Sequence, residues 1–169
     1  MREYPYQLVY FLREEPALGE TVYSGENGWY PQVALKRRCK FVGLEEDVGL
    51  LYVEEFCRQA NRELIFTSGD LTSDDRMPVK YIQIKDDDDM VSSFHRRLIG
   101  FMGDRIESRY PNREGSNYMP HITAEYDGEM VIDVDQFTNK TYAINRVCIL
   151  KDVEGENSVA YKYFSLDEG

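Results

Sequence analysis

An α+β domain of two similar lobes is the fold class that this sequence predicts. Three observations carry it. Short aromatic and β-branched runs alternate with two longer stretches of helical periodicity. Each helical stretch stands between segments of strand, once in each half. No low-complexity linker divides the halves. The 169 residues suit one domain, 1–169, whose two lobes share a core. A hydrophobic content of 42% supplies that core, and 13 Tyr argue against disorder.

The first strand is expected at Tyr6 to Leu12, a short apolar run rich in aromatics. Residues 13–29 carry Pro16, Gly19, Gly25 and Gly28 and read mostly as loop. A second extended segment runs from about Tyr30 to Val42. The spacing predicts a helix from about Glu45 to Asn61, with Val48, Leu51, Tyr52 and Phe56 on its apolar face and Glu45, Glu46 and Asp47 at its positive end. Strands follow at Glu63–Gly69 and Val79–Lys85. A second helix is expected from about Asp88 to Ser108, striped by Val91, Phe94, Leu98, Phe101 and Met102. Asp86–Asp89 precede it and read as N-terminal caps rather than metal ligands. Gly100 and Gly103 weaken its last turns. His95 reads as a surface or boundary residue. A short strand spans Met119–Tyr126, a turn at Asp127-Gly128 leads into Glu129–Val134, and Thr141–Lys151 with Val159–Leu166 form a closing hairpin around a loop containing Gly155.

Composition narrows the function. The net charge of −11 opposes wrapping of a long polyanion, so no extended nucleic-acid surface is expected, although a local basic pocket can still hold a small phosphate. No apolar run approaches the roughly 20 residues that span a membrane. No signal-peptide-like stretch opens the sequence, so a cytoplasmic monomer is the expectation. Cys39, Cys57 and Cys148 are odd in number and widely spaced, which fits reduced, buried thiols.

Chemistry concentrates in two places. The first is His121-Ile122-Thr123 after Pro120. Strand alternation sends His121 and Thr123 one way and Ile122 the other. A histidine moves protons near neutral pH, and a threonine hydroxyl two residues on can donate to the same phosphate oxygen. The same pairing also serves as plain strand structure. The second place is Gln32 to Val42. Strict alternation puts Val33, Leu35, Cys39 and Phe41 on one face, interrupted by Arg37. It puts Gln32, Ala34, Lys36, Arg38 and Lys40 on the other. Three cations on one strand face make either a solvated edge or a phosphate site. Tyr118 and Tyr126 flank the His121 strand and either stack on a base or pack against the protein.

Pro120-His121-Ile122-Thr123 resembles the second motif of the two-histidine phosphoesterases, the superfamily of 2′-5′ RNA ligase-like proteins. There two His-x-Thr (or Ser) motifs, one per lobe, face a shared cleft. Thr141 to Leu166 resembles the hairpin that closes that domain. Lys40-Phe41-Val42-Gly43-Leu44-Glu45-Glu46 is similar to the stretch after the first motif. Counting back from it puts Lys36 and Arg38, or Lys40 and Val42, where the family has His and Thr. In both registers a lysine replaces the first histidine and keeps its face. With a pKa of about 10.4 it is a poor base, but it can act as an acid or an electrostatic clamp.

The resemblance implies antiparallel sheets around a central cleft, with two main helices outside. It implies action on a small phosphodiester, such as a 2′,3′-cyclic or 2′-5′-linked nucleotide or an RNA end. His121 and Thr123 would be catalytic, and Lys36, Arg38, Lys40, Tyr118 and Tyr126 would contact the substrate. The family's chemistry requires no metal or other cofactor, and no glycine-rich phosphate loop suggests ATP. The alternative reading is a catalytically impaired nucleotide- or phosphate-binding module.

Overall fold

The computed structural model describes residues 3–24, 28–126, 128–153 and 158–166. The strands are β1 (Tyr6–Phe11), β2 (Tyr23–Ser24), β3 (Gly28–Trp29), β4 (Gln32–Phe41), β5 (Leu64–Thr72), β6 (Tyr81–Lys85), β7 (Ile106–Ser108), β8 (His121–Thr123), β9 (Glu125–Tyr126), β10 (Glu129–Met130), β11 (Thr141–Ile144), β12 (Arg146–Asp152) and β13 (Ser158–Ser165). The helices are α1 (Glu46–Ala60) and α2 (Met90–Met102). One antiparallel sheet of nine strands runs β11-β5-β6-β8-β4-β1-β12-β13, with β7 added beside β4. The chain is thus α+β, with a curled sheet and two helices against one side of it.

The expected element order holds, but several elements are partitioned differently: Met119–Tyr126, expected as one strand, is β8 in the main sheet and β9 in a separate pair with β10. Thr141 to Lys151 is two strands, not one. β11 pairs with β5 at one edge of the sheet, whereas β12 pairs with β1 and β13 in the other half. The chain crosses between lobes at Asn145, whose carbonyl is taken by the Leu166 N–H. Residues 13–29 include the short β2–β3 pair and are not wholly loop. Residues 127 and 154–157, which include parts of an expected turn and loop, lie outside the described residues.

α1 is rotated from its expected phase. It buries Gly49, Leu50, Val53, Phe56 and Cys57, while Val48 and Leu51 are 38% and 58% exposed. Contacts at the first turn set this phase. The Glu46 carboxylate accepts from the Tyr6 hydroxyl and the Lys151 ammonium, each at 2.5 Å, and from Tyr161. Gly49 then meets the Phe41 ring, which would lie 2.6 Å from any added Cβ. Phe56 packs edge-on against Phe94 at 5.1 Å, joining the two helices.

α2 is shorter than expected. Gly103 adopts φ 52 and ends it, so Ile106–Ser108 can pair with β4. The N-terminal end is capped by Asp86, whose carboxylate accepts from the N–H groups of Val91 (3.1 Å) and Ser92 (2.8 Å). The apolar stripe of α2 includes His95, which is fully buried and not the boundary residue expected. Cys39, Cys57 and Cys148 are buried free thiols, and burial pushes each pKa up, to about 11, 12 and 11.

Two glycines of the helices should respond oppositely to alanine. Gly49→Ala forces a methyl into the Phe41 ring and should destabilise the fold by about 1–3 kcal/mol. Gly100→Ala meets open space and should stabilise it by about 0.5–1 kcal/mol. Thermal melting of both variants checks this, and equal shifts of one sign would contradict the packing.

Candidate functional site

β8 is three residues long, and its centre is apolar. Ile122 is fully buried and pairs with Ile82 of β6 on one side and Val33 of β4 on the other. These three side chains belong to the main core. Their neighbours in each strand therefore face the opposite side of the sheet. That side carries His121 and Thr123 of β8, Gln32 and Ala34 of β4, and Tyr81 and Gln83 of β6. Tyr81 stands opposite Thr123, and Gln83 opposite His121.

The strict alternation expected along β4 fails. Against β1, Val9 pairs with Ala34, Leu8 with Lys36 and Tyr6 with Cys39, so β4 carries extra residues at two irregularities. The expected cationic face is dispersed. Lys36 is 2% exposed on the core side, ion-paired with Glu114 and donating to the Arg37 carbonyl at 2.9 Å. Arg38 is bonded to buried Asp152. Lys40 lies at the surface near Glu3 (3.3 Å) and Glu107 (3.2 Å). Arg37, which sequence alternation assigned to the apolar face, turns to the His121 side.

A cleft of about 420 Å³ opens there, lined by Ala34, Arg37, Arg76, Arg113, Tyr118 and His121 among others. Thr123 is half-buried on the His121 face but does not line it. Tyr126 is 40% exposed on β9 and is not part of the lining either. Arg76, Arg113 and Arg37 were not singled out from the sequence. Two belong to loops with no motif, and the third is aimed by a bulge that periodicity cannot register.

The segment from Arg109 to Pro120 forms one wall. Between its pairings with β8 and β7, that side of β4 has no neighbouring strand, and its carbonyls find other donors. The Tyr118 hydroxyl donates to the Ala34 carbonyl at 2.8 Å, and His95 Nδ1 lies 2.8 Å from the Leu35 carbonyl. A carbonyl only accepts, so Nδ1 carries the proton. His95 Nε2 then accepts the Gly115 N–H at 3.1 Å. The His95 ring stacks on Tyr118 at 3.9 Å. Glu114 also accepts from Ser108 at 2.8 Å, completing a buried polar lock under the wall.

His121 has the same tautomer by the same argument, since Nδ1 lies 3.0 Å from the Met119 carbonyl. Its Nε2 keeps a lone pair. Burial lowers the His121 pKa to about 4, with the Met119 carbonyl opposing and Arg37 and Arg113 assisting. Burial likewise lowers His95. Arg37 is lowered by burial first and by Arg113 second, a sign that two guanidiniums crowd one space. Arg76 is held by Asp74 at 2.7 Å, but among the described residues Arg37 and Arg113 have no carboxylate partner. Gln32 Oε1 is buried without a hydrogen-bond partner.

No protein-family model matches the sequence, and no curated protein does. Solved structures do. A phosphoesterase crystal structure matches at 14% identity and TM-score 0.57, over 96% of this chain and 97% of that one. E. coli LigT complexed with NADP+ matches at 12% and 0.57, over 96% of each chain. E. coli LigT complexed with 3′-AMP matches at 10% and 0.58, over 96% of this chain and 97% of that one. At such identities the likeness is one of fold.

Two outcomes test this arrangement. Because both histidine pKa values are depressed, the unfolded chain binds protons below about pH 6.5 that the native state refuses. Stability should therefore fall as pH drops through about 6.5, by up to about 1.4 kcal/mol per unit per histidine, with the His121 share levelling near pH 4. Urea midpoints between about pH 7.5 and 5 measure it, and His121→Asn should remove its share of the slope; a flat profile would sink the neutral assignment. Glu114→Gln leaves Lys36 charged and buried and should cost about 3–5 kcal/mol, whereas Lys36→Met with Glu114→Leu should cost less than either single change. Additive losses in thermal melts would contradict the lock.

Proposed function

We propose that the protein is a two-histidine phosphoesterase-like protein whose cleft takes a small phosphodiester, such as a 2′,3′-cyclic or 2′-5′-linked nucleotide, or the phosphomonoester that forms on ring opening. The observation that carries this reading is the convergence of Arg37 and Arg113, both without carboxylate partners among the described residues, on His121 in a chain of net charge −11. Unpaired guanidiniums beside a neutral imidazole form a site for an anion, and the bidentate geometry of guanidinium suits phosphate. The likeness of fold to phosphoesterase structures supports the reading.

In this reading His121 Nε2 is the base. It accepts a proton from water as the water oxygen bonds to phosphorus, and the P–O bond to the ribose oxygen breaks. The proton then passes from His121 to the departing oxygen. Arg37 and Arg113 hold the phosphoryl oxygens as charge grows on them. Thr123 shares His121's strand face but stands outside the cleft lining, so in this reading it backs the floor beside His121 and does not touch the phosphate.

One observation favours the second reading, a phosphate- or nucleotide-binding module without turnover. The pairing of Val33 with Ile122 sets Gln32 and Ala34, which cannot titrate, across from Thr123 and His121. The chain holds two histidines, and His95 is consumed by the wall. His121 would then have to serve as both base and acid.

NMR titration with a 2′,3′-cyclic nucleotide and its ring-opened products separates the readings. Phosphate binding should raise the His121 pKa from about 4, because the anion offsets Arg37 and Arg113. Arg37→Gln and Arg113→Gln should each weaken binding by about tenfold or more. Product formation lost in His121→Ala marks an enzyme, and binding without product marks the module. If no phosphate compound perturbs His121 or Arg37, both readings fail.

A further inference from the structure

Resting on the reading of the cleft as a phosphate site, we propose that His95 is a positioning residue for it. Its neutral ring holds the wall that bears Arg113, and a proton on Nε2 releases that wall, so that acid weakens the grip on a phosphodiester.

His95 never reaches the cleft. It is fully buried in α2 and bridges β4 and the wall. Nδ1 donates to the Leu35 carbonyl at 2.8 Å, and Nε2 accepts the Gly115 N–H at 3.1 Å. The ring face stacks on Tyr118 at 3.9 Å, and the Tyr118 hydroxyl donates to the Ala34 carbonyl at 2.8 Å. Gly115 stands two residues after Arg113 and directly before Ser116, Asn117 and Tyr118, and all of these but Gly115 line the cleft. A single imidazole thus clamps the middle of the wall to β4. The neighbouring anchor, Glu114, is already committed to Lys36 and Ser108.

Both ring nitrogens are in use, one as donor and one as acceptor, which only the neutral ring allows. The Leu35 carbonyl fixes the first proton on Nδ1. A second proton must enter at Nε2, where it meets an N–H and not an acceptor. The Gly115 bond is then lost, and two buried donors face each other. The charged and titratable groups about the ring are Glu114 and Tyr118 from the wall, Lys36 from β4 and Arg96 from α2. Burial is the largest effect and lowers the His95 pKa; the Leu35 carbonyl and Glu114 oppose it, and Lys36 and Arg96 assist. Release of the wall wets the ring and returns it toward its ordinary value of about 6.5. The closed wall has the lower pKa, so the ring's contribution to closure is complete above about pH 6.5 and is lost as pH falls. At His121 the sign is opposite, because an anion on Arg37 and Arg113 favours a proton on Nε2. Acid acting through His121 alone would tighten binding.

The probe is a 2′-deoxynucleoside 3′-methyl phosphate, a monoanion across the range with no 2′-hydroxyl to react. NMR titration of the whole chain between about pH 7.5 and 5, with circular dichroism checking the fold at each step, reads its Kd and both histidine rings. Affinity should fall as pH drops, by up to about tenfold per unit for one coupled proton. Saturating probe should lower the His95 pKa and raise that of His121. His95→Gln, which can donate and accept but cannot titrate, should reverse the trend, so that acid tightens binding. Affinity that stays flat or rises with acid in the unaltered protein, or a His95 pKa that the probe leaves in place, would overturn the positioning role while the cleft reading stands. If the probe binds at no pH, the cleft reading falls and this role with it.

Discussion

The contact between Val33 and Ile122 is the hinge of the whole arrangement. It is the register pair between β4 and β8, and it joins β11-β5-β6-β8 to β4-β1-β12-β13. Both side chains are fully buried against Ile82, so apolar burial fixes which way each strand faces. Once Ile122 is committed to the core, His121 must stand on the other side. Once Val33 is committed, Gln32 and Ala34 must stand across from it. The chemistry of the cleft floor thus follows from which residues the core has claimed.

A pairing this short leaves the β8 side of β4 without a strand neighbour over its middle residues, although β1 pairs with its other side. The structure meets that deficit with side chains. Tyr118 and His95 take the carbonyls of Ala34 and Leu35, and the same histidine anchors Gly115. Lys36 and Glu114 neutralise each other beneath. The wall that bears Arg113 is therefore held by buried, fully partnered polar groups. Such a network is rigid while every member is satisfied and fails when one is removed or protonated. It ties the position of the cleft arginines to residues that never reach the cleft.

Charge is organised by exclusion. The chain is strongly acidic, yet among the described residues Arg37 and Arg113 of the cleft have no carboxylate partner, because the adjacent Glu114 is bonded to Lys36 and Ser108. Arg38 and Lys36, the cations most conspicuous in the sequence, are used up in pairs with Asp152 and Glu114. Arg37 is left over. The lowered basicity of Arg37 and of His121 has one main origin, burial, to which the neighbouring guanidiniums add.

Much of the fold was legible in the chain. Element order, both helices, the burial of Ile122 and the shared face of His121 and Thr123 follow from local periodicity, which depends only on backbone geometry. The phase of α1 was not legible, because Glu46 is held by Tyr6, Lys151 and Tyr161, contacts that lie 40 and more residues away. Nor was the break at Asn145, since one apolar run can feed two edges of a sheet. The facing of Lys36, Arg37 and Arg38 was misjudged because each bulge in β4 is defined against its partner strand, and one strand alone carries no trace of it. His95 was read as a boundary residue because the carbonyls that need it lie 60 residues away, at Leu35. Periodicity is a property of the chain and can be read there, whereas register and polar partnership exist only between segments and were decided when they packed.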